Sequence, residues 1–248
     1  MSELKGRGAD WTEFVPPDPP QARGTSDEGR RRLKARRKRA GDAGEQATYK
    51  LASVLLQYPT AALFDGLGEL DAFAATTSPR QARAAFARFL VWLRATAPAD
   101  VAQHYVQTCD LRRRCALYLT YYRYGDTRKR GLAMVAFKAA YRDAGFVPRD
   151  DELPDYLPMV LDFAALTDRG QRLLRSHRAD LELLRRALAK AGSPYEDVVA
   201  AVCAQLPRLG RRELSQVLTA WETGPPREEV GLEPFAPPDY LAGYRAGP

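Results

Sequence analysis

Residues 104–146 read HYVQTCDLRRRCALYLTYYRYGDTRKRGLAMVAFKAAYRDAGF, and this stretch decides the fold class. Its second half carries Leu132, Val135, Ala136 and Ala139 on one helical face, with Met134, Phe137 and Tyr141 on the adjoining one. Gly145 follows where a helix would stop. Just before the stretch comes Val101, and its first half then carries Tyr105 and Thr108 up to Asp110, whose carboxylate is placed to cap a following helix. That helix would hold Leu111, Cys115, Leu117, Leu119, Tyr121 and Tyr122 and be the most buried in the chain. Gly125-Asp126-Thr127 provides the turn between the halves.

The same period extends outward. Leu51, Ala52, Leu55 and Tyr58 mark a first helix ended by Pro59. Ser78-Pro79 reads as an N-cap followed by proline at the first helical position, ahead of Phe86, Phe89, Leu90 and Leu93. After the loop VPRDDE at 147–152, LPDYLP opens a helix with Val160, Leu161, Phe163, Ala164 and Leu166. Leu173, Leu174, Leu181, Leu184 and Leu188 form a long amphipathic stripe, and Ser193 to Glu196 fit a capping box. No segment sustains the alternation of a half-buried strand, and no repeat is present. The predicted class is all-α, a single helical bundle over residues 45–210. A disordered basic tail is predicted over 1–44 and a Pro-rich tail over 211–248, with Phe235 and Tyr240 available for local packing.

The net charge of +7 is local. Residues 30–39, RRRLKARRKR, contain eight cations, and without them 30 basic residues face 31 acidic ones. A nucleic-acid or anionic-membrane anchor in this tail is the competing functional reading. Arg31-Arg32-Leu33-Lys34 lacks the apolar segment of an export signal, and no run approaches the length of a membrane span. The odd cysteine set, Cys109, Cys115 and Cys203, has no CxxC and fits a reducing, cytoplasmic setting.

Two histidines, His104 and His177, and three scattered cysteines give little for catalysis or metal binding, and no phosphate-cradling loop is present. No catalytic residue, metal site or bound cofactor is expected. The stretch Asp150 to Pro158, DDELPDYLP, is the most unusual in the chain. It reads either as a solvated acidic loop capping the next helix, or as a partner site beside exposed Tyr121, Tyr122, Tyr124 and Tyr156. The second would suit a peptide with arginines and an apolar stripe. Arg112, Arg113 and Arg114 stand where a helix dipole disfavours cations, and are either solvated or paired with Asp126 or the acidic loop.

Taken together, the aspartate followed by three arginines, LYLTYY, GDTRKRG, a helix ending Y-x-x-x-G and ELPDYLP resemble the NarJ family of the TorD-like helical chaperones. The likeness extends from about Glu45 to Leu206. It implies an all-helical bundle that is no enzyme, and an assembly role for a nitrate reductase. The implied client is the NarG-like catalytic (alpha) subunit, met at its N-terminal signal-like peptide while the molybdenum cofactor is inserted and before membrane docking. Neither nucleic acid nor stable membrane insertion is implied, and self-association is left open. Carried over by position, the client groove includes Tyr105, Thr108, Asp110, Tyr121, Tyr122 and Asp126, closed by Glu152, Leu153, Pro154, Asp155 and Tyr156. Two departures stand out: the family commonly has histidine at position 156 and phenylalanine at 109.

Overall fold

The computed structural model describes residues 42–148 and 152–226. Of the tails expected over 1–44 and 211–248, residues 1–41 and 227–248, including Phe235 and Tyr240, lie outside the described residues, as do the acids Asp150 and Asp151. Among the described residues there is no strand, and the all-α expectation holds. Helix α1 occupies 42–55. It is followed by α2 (Ala61–Asp65), α3 (Leu67–Thr76), α4 (Arg80–Ala95) and α5 (Pro98–Tyr105). After an irregular stretch come α6 (Tyr121–Tyr124), α7 (Arg128–Asp143), α8 (Leu157–Leu166), α9 (Asp168–Ser176), α10 (Arg178–Lys190), α11 (Tyr195–Gln205) and α12 (Arg211–Thr223).

The core forms where two strongly apolar faces meet, α4 lying along α11. Phe86, Phe89, Leu90 and Leu93 of α4 and Tyr195, Val198, Val199 and Val202 of α11 are all buried, with the Phe89 and Tyr195 rings 5.1 Å apart. Helix α10 closes over α11, and α8 packs on α9 so tightly that a Cβ on Gly170 would stand 2.5 Å from the backbone nitrogen of Ala164. Only glycine permits that approach. Helix α1 is pinned by Thr48, whose hydroxyl lies 2.9 Å from the Gly44 carbonyl and 2.7 Å from the Ser78 carbonyl.

Several expectations are corrected. The helix expected from Leu111 to Tyr122 does not form. Val106–Asp110 is one π-helical turn continuing α5, so Asp110 ends a helical segment instead of capping one. Arg113–Cys115 is a single 3-10 turn, and 116–120 is extended or turn. The reason is tertiary: the Leu119 N–H bonds the Asp155 carbonyl at 3.0 Å, and the Leu157 N–H bonds the Leu117 carbonyl at 2.7 Å. Tyr118 and Tyr156 thereby form an isolated antiparallel bridge. Cys115, Leu117 and Leu119 are buried while Ala116 and Tyr118 are half-buried, an alternation of period two.

Helix α4 starts at Arg80, one residue after the expected proline. Ser193 caps no box: its hydroxyl meets His104, and Glu196 pairs with Arg185. The folded part begins before residue 45, because Gly44 is buried against Ser78. It also continues past 210. Val217 of α12 is buried, and Trp221 lies under Lys190 and Arg114. The helix-breaking prolines come only after this segment, which is free to lay Val217 and Trp221, four apart, on one face. Of the two faces expected on α7, Phe137 and Tyr141 enter the core, whereas Leu132 is 76% and Val135 61% exposed.

Candidate functional site: a tyrosine and arginine ladder

The bridge between 118 and 156 brings segments far apart in sequence onto one surface. Tyr58 meets Tyr105 edge-on at 5.7 Å between ring centres. The Tyr105 hydroxyl donates to the Leu56 carbonyl at 3.0 Å and stands 3.4 Å from the Tyr156 hydroxyl. The Tyr156 ring lies 5.6 Å from that of Tyr118. The Arg130 guanidinium carbon then sits 5.4 Å from the Tyr118 ring centre and 5.6 Å from that of Tyr121. Arg113 completes the row, 5.8 Å over Tyr121, donating to the Tyr121 hydroxyl at 2.6 Å and pairing with Asp126. Cations over ring faces gain from the negative face of the aromatic quadrupole. The Arg113–Asp126 pairing considered from the sequence is present.

Beneath the ladder lies a polar knot. Oδ2 of Asp155 accepts from the Thr120 N–H at 3.1 Å, the Thr120 hydroxyl at 2.5 Å and Arg130 Nη2 at 3.4 Å. Arg130 Nε also donates to the Thr120 hydroxyl at 3.2 Å. Asp155 is 0% exposed, and its second oxygen, Oδ1, has no hydrogen-bond partner among the described residues. Tyr141 fixes the same loop by donating to the Pro154 carbonyl at 3.0 Å.

This placement changes the sequence-derived groove. Tyr105, Thr108, Tyr121, Tyr122, Pro154 and Asp155 are buried, so Tyr121 and Tyr122 are not the exposed aromatics expected, and Asp155 is no surface carboxylate. The hydroxyl of Tyr122 is spent on the Arg114 carbonyl. Asp110, Asp126 and Leu153 are exposed, while Glu152 and Tyr156 are half-buried. Glu152 accepts from the Tyr118 hydroxyl at 3.1 Å. The sequence reading missed Tyr58, Tyr118, Thr120 and Arg130; the two-residue alternation from Cys115 to Leu119 was the available signal for Tyr118.

The site's electrostatics suit binding through neutral phenols. Burial, then the charge and hydrogen bond of Glu152, push the Tyr118 phenol up to about 12. Burial likewise raises Tyr105 and Tyr156, and desolvation raises the Asp110 carboxyl. Burial pushes the Cys203 thiol up to about 12 and also raises Cys109 and Cys115, so none of the three is a ready nucleophile. Among the described residues no group of three or more His, Cys, Asp or Glu side chains could hold a metal ion. No helix among them is long and apolar enough to cross a membrane. Behind the arginine turn, a cavity of about 490 Å³ opens between Arg112, Arg114, the end of α10 at Lys190 and Trp221.

Residues 75–201, which carry every part of the ladder except Tyr58, match the family described as nitrate reductase delta subunit. The chain belongs to the nitrate reductase delta subunit family. A probable nitrate reductase molybdenum cofactor assembly chaperone NarJ from Bacillus subtilis is 31% identical over 170 residues, 68% of this chain and 92% of that protein. The nitrate reductase molybdenum cofactor assembly chaperone NarJ of Escherichia coli K12 is 33% identical over 149 residues, 58% of this chain and 63% of its own. The nitrate reductase-like protein NarX of Mycobacterium tuberculosis is 43% identical over 157 residues, 62% of this chain. The matched part spans only 24% of the NarX length. The likeness to NarJ read from the sequence is thus borne out.

Proposed function

We propose that this protein is a cytoplasmic assembly chaperone for a molybdenum-containing nitrate reductase. It binds the apo catalytic subunit through that subunit's N-terminal, arginine-bearing segment and performs no chemistry of its own. It keeps the client receptive to its cofactor before membrane docking, and leaves before the enzyme is complete. Physically, such a chaperone favours one client conformation only to the extent that it binds it more tightly than the others.

The observation that carries this reading is the ladder, in which the half-buried Tyr118 and Tyr156 rings stand beside the carboxylate of Glu152, with the exposed Asp110 near enough to act on the Tyr156 phenol. Ring faces and carboxylates together are what guanidinium groups and an apolar peptide stripe require. The names of the B. subtilis and E. coli relatives support the same direction.

Calorimetric titration with a synthetic peptide from the N-terminus of the cognate catalytic subunit tests it, using an arginine-to-alanine peptide as control and two salt concentrations. Binding is expected, weakened by that substitution and by Asp110→Lys with Glu152→Lys. Equal affinity for both peptides would sink the assignment of this surface.

A further inference from the structure

Helix α7 begins Arg128-Lys129-Arg130-Gly131 and continues Leu132-Ala133-Met134-Val135-Ala136, cations followed by an apolar run. That is the chemistry attributed above to the client peptide, and the following inference rests on that reading. None of residues 128–136 is buried, and the buried residues of the helix, Phe137 and Tyr141, lie in its second half. Its first half nevertheless sends one side chain inward: Arg130 is 14% exposed and lies between two tyrosine rings above Asp155.

We infer that Tyr118, Thr120, Tyr121 and Asp155 form a slot for one arginine side chain of the client, which Arg130 fills in the free protein and the client displaces. Three features of the slot point this way. Its acceptor set is matched to a guanidinium: two ring faces, a hydroxyl oxygen and a carboxylate. Its present occupant fits it incompletely. Arg130 reaches only Oδ2, at 3.4 Å, while the equally buried Oδ1 has no partner among the described residues, so the bidentate fork that arginine makes with carboxylate is half-used. A buried carboxylate without a cation is costly, so the free protein needs a filler. Exchange of one arginine for another leaves Asp155 paired in both end states, and removes that cost from the exchange.

The exposed Leu132 and Val135 follow from the same arrangement. They lie on the part of α7 whose inward tie is Arg130, so this half can detach once Arg130 is displaced, while Phe137 and Tyr141 stay packed against His177 and Phe163 at 5.1 Å and 4.6 Å.

The test uses the full chain in two arms. In the first, amide hydrogen exchange is followed with and without the client N-terminal peptide. Exchange in residues 128–136 should quicken on binding, and the arginine-to-alanine peptide should leave it unchanged. In the second, Arg130→Ala should lower the melting temperature. Methylguanidinium should restore it by filling the vacated slot, where methylammonium should not, and the variant should bind the peptide about tenfold more tightly because no internal competitor remains. If Arg130→Ala does not fold, Arg130→Gln takes its place in the rescue. Absence of peptide binding altogether would defeat the client reading. Binding without faster exchange in 128–136, or a variant that methylguanidinium leaves unrescued, would overturn the displacement inference alone.

Discussion

Thr120 gives both its backbone N–H and its hydroxyl hydrogen to a single oxygen of Asp155, 35 residues away and wholly buried. This pair ties the turn before α6 to the loop before α8. It holds the peptide groups of 117–119 in register with 155–157, and so places Tyr118 beside Tyr156.

Asp155→Ala should therefore act on the fold. It removes the acceptor of three hydrogen bonds and leaves Arg130 facing an emptied, largely buried site, a loss of the kind that costs about 3–5 kcal/mol. Glu152→Ala, at a partly exposed acid three residues earlier, should stay within about 0.5 kcal/mol. Urea unfolding of the two variants checks the contrast, and equal midpoints would contradict the buried knot.

Glycines in two helices should respond in opposite directions. Gly170→Ala would force a methyl group to 2.5–2.6 Å from the backbone of Phe163 and Ala164, and a loss of about 1–3 kcal/mol is expected. Gly131→Ala meets nothing within 4 Å on an exposed helix and should gain about 0.5–1 kcal/mol. Thermal unfolding of both variants reads the signs directly.

Glu182 is buried on α10 and bonded by Arg178, Arg185 and Arg186 at 2.7–3.3 Å. Burial works to raise its carboxyl, yet the hydrogen bond from Arg185 and the charges of Arg185 and Arg178 outweigh it and hold the group below the usual carboxylate range. With the folded value below the unfolded one, the unfolded chain takes up the proton first as pH falls. The stabilisation is present at neutral pH and disappears as pH drops through the ordinary carboxylate range to the folded value. Glu182→Gln should thus lower stability at pH 7 and flatten its fall below about pH 5. Unfolding free energies at a series of pH values measure both effects.

Cys109, Cys115 and Cys203 are free and buried, with thiols raised by burial. Iodoacetamide at pH 8 should label none of them in the native protein and all three in urea, with native labelling following the opening of the fold. Rapid stoichiometric labelling of the folded chain would contradict this burial.

The sequence alone determined the helices whose stability is local. Periodic apolar faces on α4 and α10 and the stop of α7 at Gly145, where φ is +79°, are matters of spacing and backbone freedom that a single segment carries within itself. It also exposed the family likeness, because that rests on residue types in order. Only the tertiary structure decided the site. Leu111 to Leu119 has helical spacing and, equally, the alternation Cys115, Leu117, Leu119. The peptide groups of 155 and 157 choose the second by offering hydrogen bonds that no local pattern reveals. That choice buries Asp155, pairs it with Arg130 and turns Tyr121 and Tyr122 inward, since a hydrogen-bonding partner tens of residues away has no period in the sequence.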